Sequence, residues 1–547
     1  MKKQSTTKNF AILGTASILV KVLAIVYLPF QTMILKEDGN SIVAKGYSIF
    51  TFLFSLSNAG LPNAISKLVA EQTAHKNFKA AQKILKCAFT VLILLGIAVA
   101  LFMVIAAKPL ADWMDEPRSY LMLLFLAPTL IFTSVSCALR GYFQGRQNMI
   151  PVAVSNVLEQ ILNSVFTVVF AYLLIRYGIE YGAAGTTVGT IIGAIGAAAF
   201  LCYLFFPVMG KQRRREIRNT DSSLPIPKSR DIYKEIAHYS FPAILNTVAT
   251  CAASLIDSFV GTQRLKAIGY TGKEADTLFG IYSYQYNRLF TLAIAFSTAL
   301  VTTMIPAIAE ALALKNNKLT KHRISESYKS IYLITLPSIA GITFLAHPMI
   351  RLVFMHHDAG SDLVVFGTWT AIFMTIQYVQ SGVLIAAGHP TAPSVNLIIG
   401  MSIKILCNYF LISIPALNIK GAIIGTAIGW IVAILLNQMV INRRFKFKVH
   451  FIRMLIKPTF ASLIMGGACY LIFNLLNLIV SLFIKNVIVA NDICVLITIL
   501  AGVFIYFAIM VVIRGVKKND IVRLPFGGKI YRMVTRVGFL RAKLEKS

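Results

Sequence analysis

Long apolar runs recur along the whole chain, each near or beyond the ~20 residues that carry a helix across a ~30 Å hydrocarbon core. They fall at about 8–35, 43–70, 84–107, 119–140, 150–175, 181–206, 235–257, 279–309, 327–350, 362–385, 392–415, 419–441, 454–478 and 490–513. The short joins leave no room for a separate soluble catalytic domain. Composition agrees, since charged residues are 14% of the 547 and AVILMFWYC residues 57%, whereas a soluble domain carries about a quarter charged. The expected fold class is an all-α polytopic membrane protein of about 14 transmembrane helices, built as two pseudo-symmetric six-helix lobes plus two C-terminal helices.

Lys and Arg outnumber Asp and Glu by 53 to 22, an excess that fits nucleic acid, anionic lipid or the loop bias of a membrane protein. Position decides between these. With the N-terminus inside, the basic residues collect in alternate joins: Lys2, Lys3 and Lys8; Lys76 to Lys86; Arg140 and Arg146; Lys211 to Lys234; Lys315 to Lys329; Arg443 to Lys457; and the tail from Arg514. The alternation holds through all the crossings, which places both termini in the cytoplasm and makes the basic excess a matter of topology and anionic headgroups. Nucleic acid is not an expected partner; anionic membrane lipids are. The first span is too long for a cleavable signal peptide, contains Lys21 and lacks a small-residue cleavage site.

The seven cysteines form no CxxC pair and read as apolar packing residues. His356, His357 and Asp358 share a loop, but nothing supplies the further ligands of a closed metal site. No GxxxxGK[ST] nucleotide-binding motif occurs. Neither a metal, a cofactor nor an enzymatic activity is expected.

Residues 210–234, GKQRRREIRNTDSSLPIPKSRDIYK, are polar and basic and read as a cytoplasmic linker. The expected domains are an N-lobe over 1–209, a C-lobe over 235–450, two extra helices over 451–514 and a basic tail over 515–547. The lobes resemble each other. Pro151 opens a span and AAGTTVGT (183–190) starts the next; Pro393 opens a span and IIGTAIGW (423–430) starts the next. Gly185, Thr186 and Gly189 thus match Gly425, Thr426 and Gly429. Recurrence of a close-packing motif at corresponding places argues for duplication, with substrate between the repeats.

A Lys or Arg near the bilayer centre costs about 2.5–3.5 kcal/mol and needs water, a partner or a ligand. Lys21 shares a helix face with Gly14, Ser17 and Ala24; Lys404 with Asn396, Gly400, Cys407 and Asn408; Arg288 with Tyr284, Thr291 and Thr298. Lys67, near the inner end of its span, is within reach of the interface by snorkelling. These stripes read as walls of a cationic cavity for an anionic cargo, with Lys21, Arg288, Lys404, Lys67, Asn408 and Tyr284 as candidate binding residues. Glu159, on a stripe with Ser155, Asn163 and Thr167, is the candidate partner for the bases, and Glu159 and Arg140 are the candidate gating residues.

Three stretches, GLPNAISKLVAE (60–71), LRGYFQGRQNMIPVAVSNVLEQ (139–160) and ALVTTMIPAIAEA (299–311), together with near-complete coverage, resemble the multidrug/oligosaccharidyl-lipid/polysaccharide superfamily in its branch of stage V sporulation and MurJ-type lipid II flippases. The resemblance implies two six-helix lobes in a V, alternating access, terminal helices that help form a groove for a lipid tail, and a polyprenyl-diphosphate-linked sugar as cargo. It also implies essential cations in the first, second and eighth helices, where Lys21 and Arg288 offer comparable charges. Lys21 replaces the arginine usual in the better-known Gram-negative members, a point charge for a bidentate fork. The localisation implied is the bacterial cytoplasmic membrane, with the cell-wall synthesis machinery as a further partner. The alternatives are export of another lipid-linked polysaccharide unit and cation-coupled multidrug antiport.

Overall fold

The chain reverses direction at short turns between long helices. The computed structural model describes residues 16, 19–24, 26–58, 60–218, 220, 225–314, 316–354, 358–389, 391–445, 451–516, 528, 531, 532 and 535, and among these there are helices and no strand. Among the described residues, eight helices are long and apolar enough to span a membrane, or ten if two bent pairs each count as one span. The protein is an all-α polytopic membrane protein; the count of fourteen is not reached among the described residues.

The chain divides into two compact units, Met1–Gly280 and Ile281–Ser547. In the first, α1 (Leu28–Asn58) is two helices joined at a kink, where Lys36 has φ 54°. The second expected span, 43–70, is broken in turn. Gly60 sits at φ 74° before α2 (Leu61–Ala74), with Pro62 in its first turn, so a left-handed turn and a missing N–H end one helix and start the next. The unit continues with α3 (Phe78–Trp113), α4 (Tyr120–Leu126), α5 (Thr129–Gly145), α6 (Met149–Leu174) and α7 (Ile179–Tyr203). A π-turn over Leu204–Val208 leads into α8 (Met209–Arg218), so the first part of the expected linker is helical.

α9 (Ser229–Ala267) is 39 residues, about 58 Å at the helical rise, and α10 is Gly272–Gly280. α9 packs with the first unit: Ile232 and Ile236 bury beside Leu61, Ile65 and Leu85, and Leu255 buries beside Ile49 and Leu53. The contact boundary therefore falls after α10, beyond the 210–234 segment.

The second unit holds α11 (Asn287–Ala313), α12 (Asn317–Phe344), α13 (Ala346–Phe354), α14 (Ser361–Gly367), α15 (Ala371–Ala386), α16 (Thr391–Leu411), α17 (Lys420–Arg444), α18 (Ile456–Phe483) and α19 (Val487–Val512). Its core gathers Ile324, Tyr328, Tyr332, Val379, Val383 and Ile434. Large apolar side chains such as Ile105 on α3, Leu471 and Leu478 on α18 and Leu500 on α19 are exposed, a surface that suits lipid as solvent.

Candidate functional site

The α16–α17 hairpin holds the deepest of the expected cations. Lys404 is 7% exposed, and Asn396 and Asn408 are buried on the same helix. Asn396 Nδ2 donates to Asn437 Oδ1 across the hairpin at 2.9 Å. The small residues explain the closeness. A Cβ on Gly429 would lie 2.7 Å from both Gly400 O and Lys404 Cβ, and one on Gly425 would run into the Asn408 carboxamide. α17 thus lies directly against the lysine stem.

The α6–α7 hairpin uses its matching glycines in the same way. A Cβ on Gly185 would lie 2.5 Å from Phe170 O, and one on Gly189 would meet Thr167 N. Glu159, on α6, receives Arg140 of α5: Nη2 reaches Oε2 at 2.6 Å while Nε donates to Ser155 Oγ at 3.0 Å. Both side chains are partly exposed, so the pair is not a sealed core bridge. The expected partners of Glu159 were the intramembrane bases; its ion pair in the structure is with Arg140. Ser164 Oγ, farther along α6, donates to Leu23 O at 3.3 Å. This ties the helical residues 19–24 to α6, with Lys21 on an exposed face.

Arg288 starts α11 with an exposed side chain and lies over the Tyr284 ring at 5.4 Å. Tyr284 is buried against Phe354, ring centroids 5.9 Å apart. Lys67 is exposed, 3.9 Å from Glu71 and 3.5 Å from the centroid of the Tyr239 ring. Lys21, Lys67, Arg140 and Glu159 thus belong to the first unit, and Tyr284, Arg288, Lys404 and Asn408 to the second. Within the units the structure brings together Arg140 with Glu159, Arg288 with Tyr284, and Lys404 with Asn408 on one helix.

Sequence reasoning missed the most buried cation. Lys45 on α1 is 0% exposed; its Nζ reaches Asp276 Oδ1 of α10 at 2.6 Å, Asp115 O at 3.4 Å and Glu116 Oε2 at 3.9 Å. Arg118 extends this network, forking onto Asp38 at 3.0 Å through both Nη atoms and onto Glu116 at 2.7 Å through Nε. Lys266 at the end of α9 pairs with Asp115, and Ser41 Oγ donates to Asp276 O at 3.1 Å. The available signal was a lysine two residues inside an apolar run, but its partner lies 231 residues away.

No group of three His, Cys, Asp or Glu that could hold a metal occurs among the described residues. His356 and His357 lie outside them, and Asp358 accepts from Arg351 Nη2 at 2.8 Å, which holds its carboxyl below the ordinary range. The seven cysteines, all described, are free thiols.

Helices of membrane-spanning length with apolar faces outward, two pairs of them packed through glycine seams, define a polytopic membrane protein. A solved inward-facing multidrug resistance MATE family transporter of the MOP superfamily superposes with a TM-score of 0.62 at 17% identity, over 80% of this chain and 96% of that one. The chain belongs to the polysaccharide biosynthesis protein family, whose sequence profile matches residues 6–312. It is 23% identical to the lipid II flippase MurJ of Bacillus subtilis (strain 168) over 87% of this chain and 89% of that protein. It is 26% identical to stage V sporulation protein B of the same organism over 97% and 99%.

Proposed function

We propose that this protein is a flippase that moves a polyprenyl-diphosphate-linked sugar precursor, lipid II for peptidoglycan, from the inner to the outer leaflet by alternating access. The observation that carries the reading is Lys404, a cation 7% exposed on a membrane-length helix and flanked by Asn396 and Asn408. A diphosphate is an anionic ligand that suits a buried cation with amide neighbours. The likeness to the lipid II flippase MurJ and the family membership support the substrate class.

On this reading Lys21, Arg288, Lys404, Lys67, Asn408 and Tyr284 receive the headgroup, and the prenyl chain stays in lipid. Glu159 and Arg140 exchange partners as the cavity changes access. Both termini are cytoplasmic and the membrane is the bacterial cytoplasmic one. Residues 38–45, 115–118 and 266–276, expected in or beside the outer joins, meet in one ionic network, which fits their sharing one side of the membrane. No covalent step is needed. Membrane potential contributes about 2.3 kcal/mol per charge per 100 mV, and with the inside negative it favours outward movement of the anion.

The test is rescue of a bacterium depleted of its own lipid II flippase. Growth is expected with the wild-type chain and loss of growth with Lys404→Met at equal membrane level. No rescue by the wild-type chain at normal level overturns the lipid II assignment and leaves another lipid-linked polysaccharide unit. The second reading, cation-coupled multidrug antiport, draws on the MATE fold; drug efflux without lipid translocation would favour it.

A further inference from the structure

A cleft lined by two arginines lies where α5 ends and α8 begins. Its lining includes Tyr142, Arg146, Phe205, Met209, Arg213 and Glu216. Arg146 caps α5 with a side chain 8% exposed, resting over the Phe78 ring at 4.7 Å, and its Nη2 donates to Glu216 Oε2 at 2.8 Å. Arg213 stacks on Phe205 at 3.9 Å, and its Nη1 reaches Phe205 O at 3.4 Å. Two guanidinium groups and one carboxylate line the cleft.

The remaining donors carry the inference. Arg146 Nη1 and Arg213 Nε are both buried with no hydrogen-bond partner among the described residues. A buried charged donor without an acceptor is costly, and the acceptor that suits two guanidinium groups is a phosphate. Burial also pushes the Arg213 guanidinium below its ordinary value, as expected of a cation short of counter-charge. The enclosed part of the cleft has room for about one water-sized group, enough for a phosphoryl oxygen but not for a sugar. Just before it, Tyr203, Phe206 and Val208 are exposed apolar side chains, placed to lie beside acyl chains.

We propose that this cleft is a phosphate site for an acidic phospholipid, whose phosphoryl oxygens accept from Arg146 Nη1 and Arg213 Nε while its acyl chains lie along the exposed end of α7. Recognition is of the phosphate and its charge, so phosphatidylglycerol and cardiolipin are both ligands and phosphatidylcholine, with its neutralising choline, is the weaker one.

Binding is measured on the full chain in neutral detergent by native mass spectrometry, titrating phosphatidylglycerol, phosphatidylcholine or inorganic phosphate. The expected result is retained phosphatidylglycerol whose apparent Kd rises about tenfold in Arg213→Gln, the loss of one charge-assisted contact. Arg214→Gln removes the same formal charge from the exposed face of α8 and is expected to leave Kd unchanged. Arg213→Lys keeps the charge without the Nε donor and is expected to behave like Arg213→Gln. Equal weakening by Arg213→Gln and Arg214→Gln overturns the site in favour of diffuse attraction to basic residues. Binding of inorganic phosphate alone, lost in Arg213→Gln, overturns the lipid as its source. Unchanged binding in Arg213→Gln overturns the proposal outright.

Discussion

Arg140 and Glu159 stand on consecutive helices and form a short, partly exposed ion pair that Ser155 completes on the arginine side. Neither partner is sealed in the core and Ser155 still accepts from Arg140, so loss of the acid leaves Arg140 with an alternative to an unpaired buried charge. Glu159→Gln is expected to cost about 1.5–3 kcal/mol, too little to prevent insertion, while translocation of labelled lipid falls. Normal transport with normal protein level would make the pair a packing contact. The polar face of Lys404, Asn396 and Asn408 is legible in the sequence, because the three follow helical spacing and a charge inside an apolar run stands out, whereas the pairing of Glu159 with Arg140 is not. Lys45 did not stand out. It sits at the edge of its run, and burial arises only when Asp276 and Glu116 are brought to it from distant segments.

The two glycine-seamed hairpins carry the element-scale argument. α7 and α17 are each 25 residues, and each presses its glycines onto the preceding helix, Gly185 and Gly189 onto α6 and Gly425 and Gly429 onto α16. The GT-x-x-G recurrence is legible in the amino-acid order because a small-residue seam fixes a position in sequence as well as in space. Gly429→Leu drives a side chain into Gly400 and Lys404 and is expected to destabilise by about 1–3 kcal/mol. Gly189→Leu is expected to do the same at Thr167, with both read as thermal unfolding in detergent. Gly467→Ala on α18 is the control: nothing lies within 4 Å of an added Cβ, and the change is expected to be neutral or stabilising by up to about 1 kcal/mol. The breaks differ in legibility. The kink at Lys36 falls in the polar KEDGN stretch between the first two expected spans, whereas the 86° bend between α12 and α13 interrupts the expected apolar span 327–350, where only packing decides how the run turns.

At the scale of the whole molecule, alternating access requires one set of helices to part from another at each end in turn. On the proposed reading the Lys45 network serves as that closure on the outer side, since it joins α1, the segment after α3 and the α9–α10 pair through seven charged residues. Removing Lys45 would leave Asp276 without its counter-ion while Glu116 keeps Arg118, a loss of about 3–5 kcal/mol that confuses stability with gating. A reversible lock separates the two. Ser41 on α1 faces Gly280 at the end of α10, and a Cβ on Gly280 would lie 3.2 Å from that of Ser41, near the Cβ separation of a disulfide. The double variant Ser41→Cys/Gly280→Cys, made in a background without the seven native cysteines, is expected to crosslink on oxidation with the fold intact. Lipid translocation should then fall to background and return when reductant opens the bond. If transport persists with the crosslink quantitative, α1 and α10 never separate during the cycle. The network would then be a permanent brace, and the moving closure would have to lie elsewhere in the chain.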